Sequence, residues 1–467
     1  MEERQIVLVG RPNVGKSRLF NRLAGKRVSI VHDLPGVTRD IVTHSLKGGR
    51  ILVDTGGLGL VEGATPEVLR EAVETQVFVA TGAASVILFV VDVREGLTPL
   101  DEEIATDLRR SKCPVKVVVN KCDTEEQDTL ALGASRLGFG EPFAVSAEHN
   151  RGIRQLEKWI FDHVPSAEEG GDPQAAEERR VGICFAGKPN VGKSSLTNRL
   201  LNAERLIVSD VPGTTRDSVA FNLDWKGSRE EVRRYRLHDT AGLRAKRKID
   251  DSIEYFSSLR TREAVEKSDV VVYLLDALTG VTKQDQKFVG EVLKAGRGLV
   301  LAVNKWDLAL ESFATGGVEG YESKEDFAKA YEVALRKELF FLPESPVVFL
   351  SAQMGHGIEP LLAAVGRVDR VQHTRLATGP LNRLIQDLFE ETPPKAKDGK
   401  RFKLYYTVQT GVAPIRLKVF CNDPERLDDS YRRYLEKGII SHFNLIGSPL
   451  EMKFVGKVKE QNPFLKR

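Results

Sequence analysis

Two short stretches combine glycines, a lysine and a hydroxyl residue in the order G-x-x-x-x-G-K-[ST]. They are Gly10-Arg11-Pro12-Asn13-Val14-Gly15-Lys16-Ser17 and Gly187-Lys188-Pro189-Asn190-Val191-Gly192-Lys193-Ser194. In such a phosphate loop, glycines let backbone N–H groups curl around phosphate oxygens, the lysine supplies a full positive charge and the hydroxyl can bind Mg²⁺. Each stretch follows an apolar run with strand character and precedes a helical pattern, which is the context the motif requires. The sequence therefore predicts two nucleoside-triphosphate sites.

A second pair of motifs, of the form D-x-x-G, follows the phosphate loops. They are Asp54-Thr55-Gly56-Gly57 and Asp239-Thr240-Ala241-Gly242. An aspartate that leaves a strand beside a phosphate loop can hold a water of the Mg²⁺ shell, and the glycine lets its N–H approach the γ-phosphate. The alternative is an aspartate that only caps a turn, and the repetition of the pattern at the same place in both copies disfavours it.

Two near-identical segments lie between the phosphate loops and the D-x-x-G motifs. They run from Pro35 to Asp40 and from Pro212 to Asp217, in otherwise divergent surroundings. Thr38 and Thr215 are suited to be a second hydroxyl ligand of Mg²⁺. Because a loop that is ordered only by the γ-phosphate and Mg²⁺ loses its anchor after hydrolysis, both segments are predicted to be switches.

The base specificity is indicated by two N-K-x-D motifs, each at the end of an apolar strand. They are Asn120-Lys121-Cys122-Asp123 and Asn304-Lys305-Trp306-Asp307. A carboxylate there can accept hydrogen bonds from the N1–H and 2-amino groups of guanine, whereas adenine would leave it unpaired. Ser146-Ala147 and Ser351-Ala352, after later strands, are predicted to complete the pockets. GTP is therefore the expected nucleotide.

Composition indicates an ordinary globular protein. The 467 residues are 41% hydrophobic and 29% charged, and the length suits about three domains. The four cysteines lack metal-ligand spacing, no apolar run approaches the roughly 18 residues of a membrane span, and the N-terminus enters a strand without a signal region. We therefore expect a cytoplasmic protein with structural thiols and no membrane partner.

Alternating strand and helix patterns occur twice, as expected of doubly wound α/β domains with mainly parallel sheets. We predict a first GTPase domain over 1–165, an acidic flexible linker over 166–179, a second GTPase domain over 180–370 and a small α+β domain over 371–467. The second copy is longer around Asp224 to Arg234 and between Ala309 and Pro346, and residues Glu325 to Phe340 of the latter segment predict a helix.

The last domain is basic. Residues 371–467 contain 18 Lys and Arg against 11 Asp and Glu, a net charge of +7, whereas residues 1–370 carry −4. The apolar patterns of this domain predict the order helix, strand, strand, helix, strand. A basic surface favours a polyanionic partner, and the alternative is a solvated surface that binds none.

All five nucleotide motifs resemble those of translation-factor-type GTPases. Two such domains followed by a short basic domain resemble the bacterial ribosome-assembly GTPases of the Der (EngA) family, and the similarity extends to Asn422-Asp423-Pro424 and to Tyr431 through Glu436. The resemblance implies a KH-like last domain and a monomer that acts on the maturing large ribosomal subunit and its ribosomal RNA. RNA-clamping KH domains have a GXXG loop, and the segment around Gly438-Ile439-Ile440-Ser441 lacks one. Contact with RNA through basic residues and binding of a protein therefore both stay open.

Two other classes of function compete with this interpretation. A GTP-regulated RNA-modifying or metabolic enzyme would need a separate active site, but residues 371–467 offer no nucleophile–base pair, no clustered carboxylates and no metal-ligand spacing. A binding scaffold with inactive nucleotide sites is disfavoured because both motif sets are intact, and a phosphate-release assay distinguishes it from an enzyme.

The residue after each D-x-x-G motif is a leucine, Leu58 or Leu243. Many GTPases have a glutamine there that orients the attacking water, and leucine cannot form that hydrogen bond. In related GTPases without the glutamine, a phosphate-loop asparagine helps to bind K⁺, whose charge resembles that of an arginine finger. Asn13 and Asn190 match that position, and the alternative is that each only stabilises a turn.

If both asparagines act catalytically through K⁺, the ion should accelerate GTP hydrolysis well beyond Na⁺ at equal ionic strength. Asn13→Ala or Asn190→Ala should abolish that difference in its own domain and leave GDP affinity largely intact, as measured by phosphate release and nucleotide titration. Equal rates in the two salts would contradict the K⁺ hypothesis.

Overall fold

The computed structural model of the protein describes residues 4–25, 41–56, 65–164, 179–202, 206–210, 220–226, 232–238, 262–314, 321–342, 344–397 and 399–457. Some predicted features lie outside these ranges. They are the linker up to residue 178, Gly57, Leu58, the switch segments with Thr38 and Thr215, and the second D-x-x-G motif from Asp239 to Gly242 with the following Leu243.

The first sheet has six strands in the order β2-β3-β1-β4-β5-β6. Its strands are β1 Gln5–Val9, β2 Val42–Leu46, β3 Arg50–Asp54, β4 Val86–Asp92, β5 Val115–Asn120 and β6 Phe143–Ala144. The helices of this part are α1 Lys16–Leu23, α2 Pro66–Ala83, α3 Pro99–Arg109, α4 Glu125–Ala131 and α5 Ile153–His163. Neighbouring strands are parallel except β2 and β3, so the carboxyl ends of the central strands meet at one edge.

The second sheet has seven strands in the order β13-β12-β11-β7-β10-β9-β8. Its strands are β7 Val181–Ala186, β8 Leu206–Asp210, β9 Ala220–Lys226, β10 Val232–His238, β11 Val270–Asp276, β12 Gly298–Asn304 and β13 Val347–Phe349. The helices are α6 Lys193–Leu201, α7 Lys283–Lys294, α8 Trp306–Ala314, α9 Lys324–Glu338 and α10 Ile358–Gln372. The long segment predicted around Asp224 to Arg234 contributes to the antiparallel pair β9–β10, and the helix predicted in the later insert is confirmed as α9.

Three strands were missing from the sequence prediction. They are β2, β8 and β9, which lie on one side of their sheets and pair antiparallel. Their sequences, such as VTHSL in β2, alternate or mix polar with apolar residues. Most of the predicted strands are continuous apolar runs because helices cover both faces of a parallel sheet, and these antiparallel strands lack that signal.

The last part of the chain is confirmed as helix, strand, strand, helix, strand. The elements are α11 Thr378–Glu391, β14 Leu404–Gly411, β15 Ile415–Cys421, α12 Asp429–His442 and β16 Leu450–Gly456, with the sheet in the order β14-β15-β16. Gly438 lies inside α12, and a Cβ on it would come within 2.6 Å of Leu388 Cδ1 on α11. This glycine thus permits close packing of two helices, and the segment around it is helical rather than a loop.

The third sheet packs on the first nucleotide-binding part through helix α2. The Phe78 and Phe420 rings meet edge to face with centroids 5.5 Å apart, and Lys418 Nζ donates a hydrogen bond to the Gly82 carbonyl. A Cβ on Gly82 would lie 2.4 Å from Phe420 Cε1. Helix α2 follows the first D-x-x-G motif, so this interface lies one helix away from the predicted γ-phosphate sensor.

The same small domain also contacts the second nucleotide-binding part. The Leu299 N–H donates to the Gly447 carbonyl at 2.9 Å, and the Ala413 N–H donates to the Gln372 carbonyl at 3.0 Å. The last domain therefore lies between the two larger ones and touches both.

We expect Gly82→Ala to loosen the contact between α2 and the third sheet, because the methyl group must displace the Phe420 ring at a cost of about 1–3 kcal/mol. Hydrogen exchange should become faster in α2, β14 and β15. Gly290→Ala is the matched control, because Gly290 lies within helix α7 with open space around its Cα. Exchange in the three elements that is no faster than in this control would contradict the packing argument.

Candidate active sites

Each phosphate loop curls between a strand and a helix and is held by the asparagine of its N-K-x-D motif. Gly15 has φ +92°, and a Cβ on it would lie 2.3 Å from Asn120 Nδ2. Gly192 has φ +101°, and a Cβ on it would lie 2.1 Å from Asn304 Nδ2. Both the left-handed backbone and the close approach exclude a side chain, which is why the motif has glycine here.

The two phosphate-loop asparagines share one backbone conformation. Asn13 has φ +64° and Asn190 has φ +63°. Among residues with a side chain, asparagine adopts this left-handed region readily. Backbone geometry alone thus accounts for the residue type, and the K⁺ hypothesis depends on the comparison of hydrolysis rates in K⁺ and Na⁺.

The phosphate-loop lysines bridge their own loops. Lys16 Nζ donates to the carbonyls of Gly10 and Arg11 at 2.7 and 2.9 Å, and Lys193 forms the equivalent two bonds in its loop. Burial lowers the pKa of Lys16 to about 8 and also lowers the pKa of Lys193. Because a phosphate would favour the ammonium form, nucleotide binding near or above pH 8 should take up a proton at Lys16.

The loop residue after the first glycine is anchored by a buried carboxylate in both copies. Arg11 Nε donates to Asp101 Oδ2 at 3.2 Å, and Lys188 Nζ lies 2.9 Å from Asp285 Oδ2. Both aspartates belong to capping boxes at the starts of helices α3 and α7 and are fully buried. These basic side chains therefore fix the loops to the fold.

The predicted Mg²⁺ residues of the first site lie together. Ser17 Oγ donates to Asp54 Oδ2 at 2.7 Å, and the Gly56 N–H donates to Asp54 Oδ1 at 2.8 Å. The Thr55 hydroxyl turns the other way and donates to the Leu8 carbonyl at 2.6 Å. A hydroxyl beside a carboxylate is an all-oxygen donor set, which suits Mg²⁺.

The N-K-x-D asparagines join the base motif to the phosphate loop. Asn120 Nδ2 donates to the Val14 carbonyl at 2.9 Å, and Asn120 Oδ1 accepts from the Ala147 N–H at 3.1 Å. Asn304 forms the equivalent bonds, at 2.7 Å to Val191 and 2.8 Å from Ala352. The three predicted motifs of each site are thus brought into contact by one buried amide.

The N-K-x-D lysines pair with two aspartates that sequence reasoning missed. Lys121 Nζ lies 2.5 Å from Asp92 Oδ2, and Lys305 Nζ lies 2.6 Å from Asp276 Oδ2. Both aspartates are the last residues of fully buried strands, β4 and β11. A carboxylate ending the same apolar strand in both copies was the available signal.

Asp123, the predicted guanine-binding carboxylate of the first site, has a donor on each oxygen. Ser146 Oγ donates to Oδ1 at 2.7 Å, and the Arg94 guanidinium donates to Oδ2 at 2.5 Å. These two bonds hold the pKa of Asp123 below its ordinary value. The group is therefore ionised and able to accept the two N–H groups of guanine. No sequence motif pointed to Arg94.

The two base motifs differ in the residue before that aspartate. Cys122 is buried, and desolvation raises its pKa to about 11, so it is an unreactive core thiol. Trp306 stacks on Phe327 of α9 with ring centroids 5.3 Å apart, and its ring centroid lies 4.2 Å from that of Phe349. The inserted helix α9 thus supports the second base motif.

Comparisons with known proteins agree with this arrangement. The family model described as 50S ribosome-binding GTPase matches residues 5–121 and 182–305, and the one described as the KH-domain-like C-terminal part of EngA bacterial GTPase enzymes matches residues 375–454. The GTPase Der of Synechococcus sp. (strain JA-3-3Ab) is 40% identical, with 97% of this chain and 95% of that protein aligned. The GTPase Der of Caldanaerobacter subterraneus is also 40% identical, over 96% of this chain and 98% of that protein.

The chain belongs to the GTPase Der family. Its members are GTPases, so this protein is an enzyme that binds guanine nucleotides and hydrolyses GTP, with two P-loop domains followed by a KH-like domain. No helix among the described residues is long and apolar enough to cross a membrane.

Two solved structures also resemble parts of this Der-family chain. A probable GTP-binding protein engB is 29% identical, covers 34% of this chain and 98% of its own, and has a TM-score of 0.29. A single-residue variant of Aquifex aeolicus Era bound to GDP.AlF4- is 16% identical over 60% of this chain and 95% of its own, with a TM-score of 0.30. Scores at this level carry no conclusion about function.

In this Der-family protein, Asp123→Asn and Asp307→Asn should each weaken GTP and favour xanthosine triphosphate at the altered site. The 2-oxo group of xanthine needs a donor where guanine needs an acceptor, and a mismatched polar group in a buried site costs about 1–3 kcal/mol, or roughly five- to 150-fold in affinity. Competition between the two triphosphates measures the change. Unchanged guanine preference in both single variants would remove the base-recognition assignment.

Proposed function

We propose that this GTPase is a switch that acts in the cytoplasm as a monomer, in the assembly of the large ribosomal subunit. Nucleotide state in the two GTPase domains sets how the KH-like domain binds the subunit precursor and its ribosomal RNA. The observation that carries the proposal is the direct packing of helix α2, which follows a D-x-x-G motif, on the sheet of the KH-like domain.

Both sites bind GTP through the predicted residues. In the first site, backbone N–H groups and Lys16 hold the phosphates, Asp123 accepts from guanine, and Ser146-Ala147 line the base pocket. In the second site, Lys193, Asp307 and Ser351-Ala352 have these roles. The positive charge on each lysine also stabilises the charge that develops on the transferred phosphoryl group.

Mg²⁺ fits the first site because Ser17 Oγ and the Asp54 carboxylate converge within 2.7 Å of each other. We assign Ser17 and Thr38 as direct ligands and Asp54 as a ligand through water, with Ser194, Thr215 and Asp239 equivalent in the second site. Mg²⁺ held there would supply positive charge against the phosphates. K⁺ held beside Asn13 and Asn190 would add further positive charge.

The interface between α2 and the third sheet gives this switch a mechanical output. Loss of the γ-phosphate removes the partner of the Gly56-Gly57 backbone, and in the sequence this motif precedes α2 by nine residues. The Phe420 ring packs so close to Gly82 that a Cβ on this glycine would lie 2.4 Å from Phe420 Cε1. A shift of α2 would therefore displace this ring. Hydrolysis in the first domain thus changes how the KH-like domain packs on helix α2.

The surface offered to RNA lies on the loop between α11 and β14. Lys395, Lys400, Arg401 and Lys403 are all exposed there. The family model that matches both GTPase domains is described as ribosome-binding, and the proposal takes its partner from that description. Since residues 371–467 contain no GXXG pattern, phosphate contacts by these residues replace a clamp on the RNA backbone.

A triple variant tests this surface: Lys395→Glu, Lys400→Glu and Lys403→Glu. Co-sedimentation with large ribosomal subunits should weaken. The slope of log affinity against log salt should also become less steep, because binding with fewer phosphate contacts releases fewer counterions. Binding should also differ between GDP and a non-hydrolysable GTP analogue.

The matched control reverses three exposed lysines of helix α9, Lys324, Lys329 and Lys337, and so makes the same change in net charge. Binding that is independent of salt, or equally weakened by the control, would contradict the role of the KH-like surface. Binding that is the same in both nucleotide states would contradict the switch.

A further inference from the structure

We propose that Arg94 competes with guanine for the Asp123 carboxylate, so that the first site binds guanine nucleotides more weakly than it would without this side chain. The second site has no counterpart of this arginine at the equivalent position. The inference rests on the proposed role of Asp123 in base recognition and concerns how that site is regulated.

The competition follows from the acceptors that guanine requires. Its N1–H and 2-amino groups need both oxygens of one carboxylate. Arg94 Nη2 lies 2.5 Å from Asp123 Oδ2, and Ser146 Oγ lies 2.7 Å from Oδ1. A hydroxyl can rotate away while its residue stays in place, whereas the guanidinium competes with the guanine N–H groups for the lone pairs of Oδ2.

The fold holds Arg94 close to this position. The Arg94 N–H donates to Asp92 Oδ1 at 2.9 Å, which fixes the turn after β4. The next residue, Glu95, accepts a hydrogen bond from Arg11 of the phosphate loop at 2.5 Å. Arg94 therefore contacts the base end of the site, and its neighbour Glu95 contacts the phosphate end. The Arg94 side chain is still 57% exposed, so it has room to move out into solvent.

The second domain contains the same turn with a different side chain. Strand β11 ends at Asp276, and the Leu278 N–H donates to Asp276 Oδ1 at 2.9 Å, as Arg94 does to Asp92. Leu278 is 61% exposed and has no charge with which to pair Asp307. Thr279 stands where the first domain has Glu95. The two domains therefore have the same backbone turn at this position but different side chains, an arginine in the first and a leucine in the second.

The expected effect is modest, because a partly exposed ion pair contributes little free energy. Releasing it should tighten guanine nucleotide binding about two- to fivefold. The effect should appear in GDP and GTP alike, since both present the same base.

The test uses the full-length chain and the fluorescent analogue mant-GDP. Lys193→Met silences the second site for measurements on the first, and Lys16→Met does the reverse. Arg94→Leu should tighten binding at the first site about two- to fivefold, and Leu278→Arg should weaken binding at the second by a similar factor. Arg136→Leu is the matched control, because it breaks another exposed arginine ion pair of the first domain, with Glu102; it should leave the affinity unchanged.

A double-mutant cycle shows whether Arg94 acts through Asp123. In the Asp123→Asn background, measured with xanthosine diphosphate, Arg94→Leu should have no effect because the competing carboxylate is gone. The proposal is overturned if Arg94→Leu weakens binding, matches Arg136→Leu, or keeps its full effect in the Asp123→Asn background.

The outcomes also separate this inference from the proposed function. An unaltered first site that prefers GDP to xanthosine diphosphate, together with an Arg94→Leu variant that matches the control, overturns only the role of Arg94. An unaltered site without that preference overturns base recognition by Asp123, and this inference with it.

Discussion

The contact between a loop glycine and the amide of an asparagine is the constraint on which each nucleotide site depends. Asn120 lies so close to Gly15 that any side chain on the glycine would overlap it. The same amide bonds to Val14 of the phosphate loop and to Ala147 of the base pocket. One buried side chain therefore sets the distance between the phosphate end and the base end. Because Asn304 repeats these contacts, the two sites share one frame.

Within that shared frame, the two domains stabilise their sites by different means. The first uses charge around the site, with Arg94 on the base motif and Glu95 on the phosphate loop. The second uses aromatic packing, with Trp306 stacked against the inserted helix α9. Ion pairs are screened by salt and open at low cost, whereas stacked rings are less sensitive to ionic strength.

A single substitution shows the same divergence inside the core. Asp285 accepts a hydrogen bond from the Tyr273 hydroxyl at 2.7 Å, while the equivalent strand position in the first domain is Phe89. Asp101 Oδ1 is accordingly buried without a hydrogen-bond partner. A buried acceptor without a partner costs free energy, and the Tyr273 hydroxyl of the second domain avoids that cost at Asp285.

The sequence by itself determined the chemistry of this protein: two phosphate loops, their D-x-x-G and N-K-x-D motifs, and the parallel sheets that carry them. These features are local, because glycine positions, strand-ending carboxylates and apolar runs are written in consecutive residues. Only the tertiary structure decided which partners those residues meet. Arg94 on Asp123, Asp92 on Lys121 and Phe420 on Gly82 join segments far apart in the chain, and no spacing rule predicts such pairs. The antiparallel strands β2, β8 and β9 were missed for a related reason, since their pairing depends on a neighbouring strand and leaves little pattern of its own.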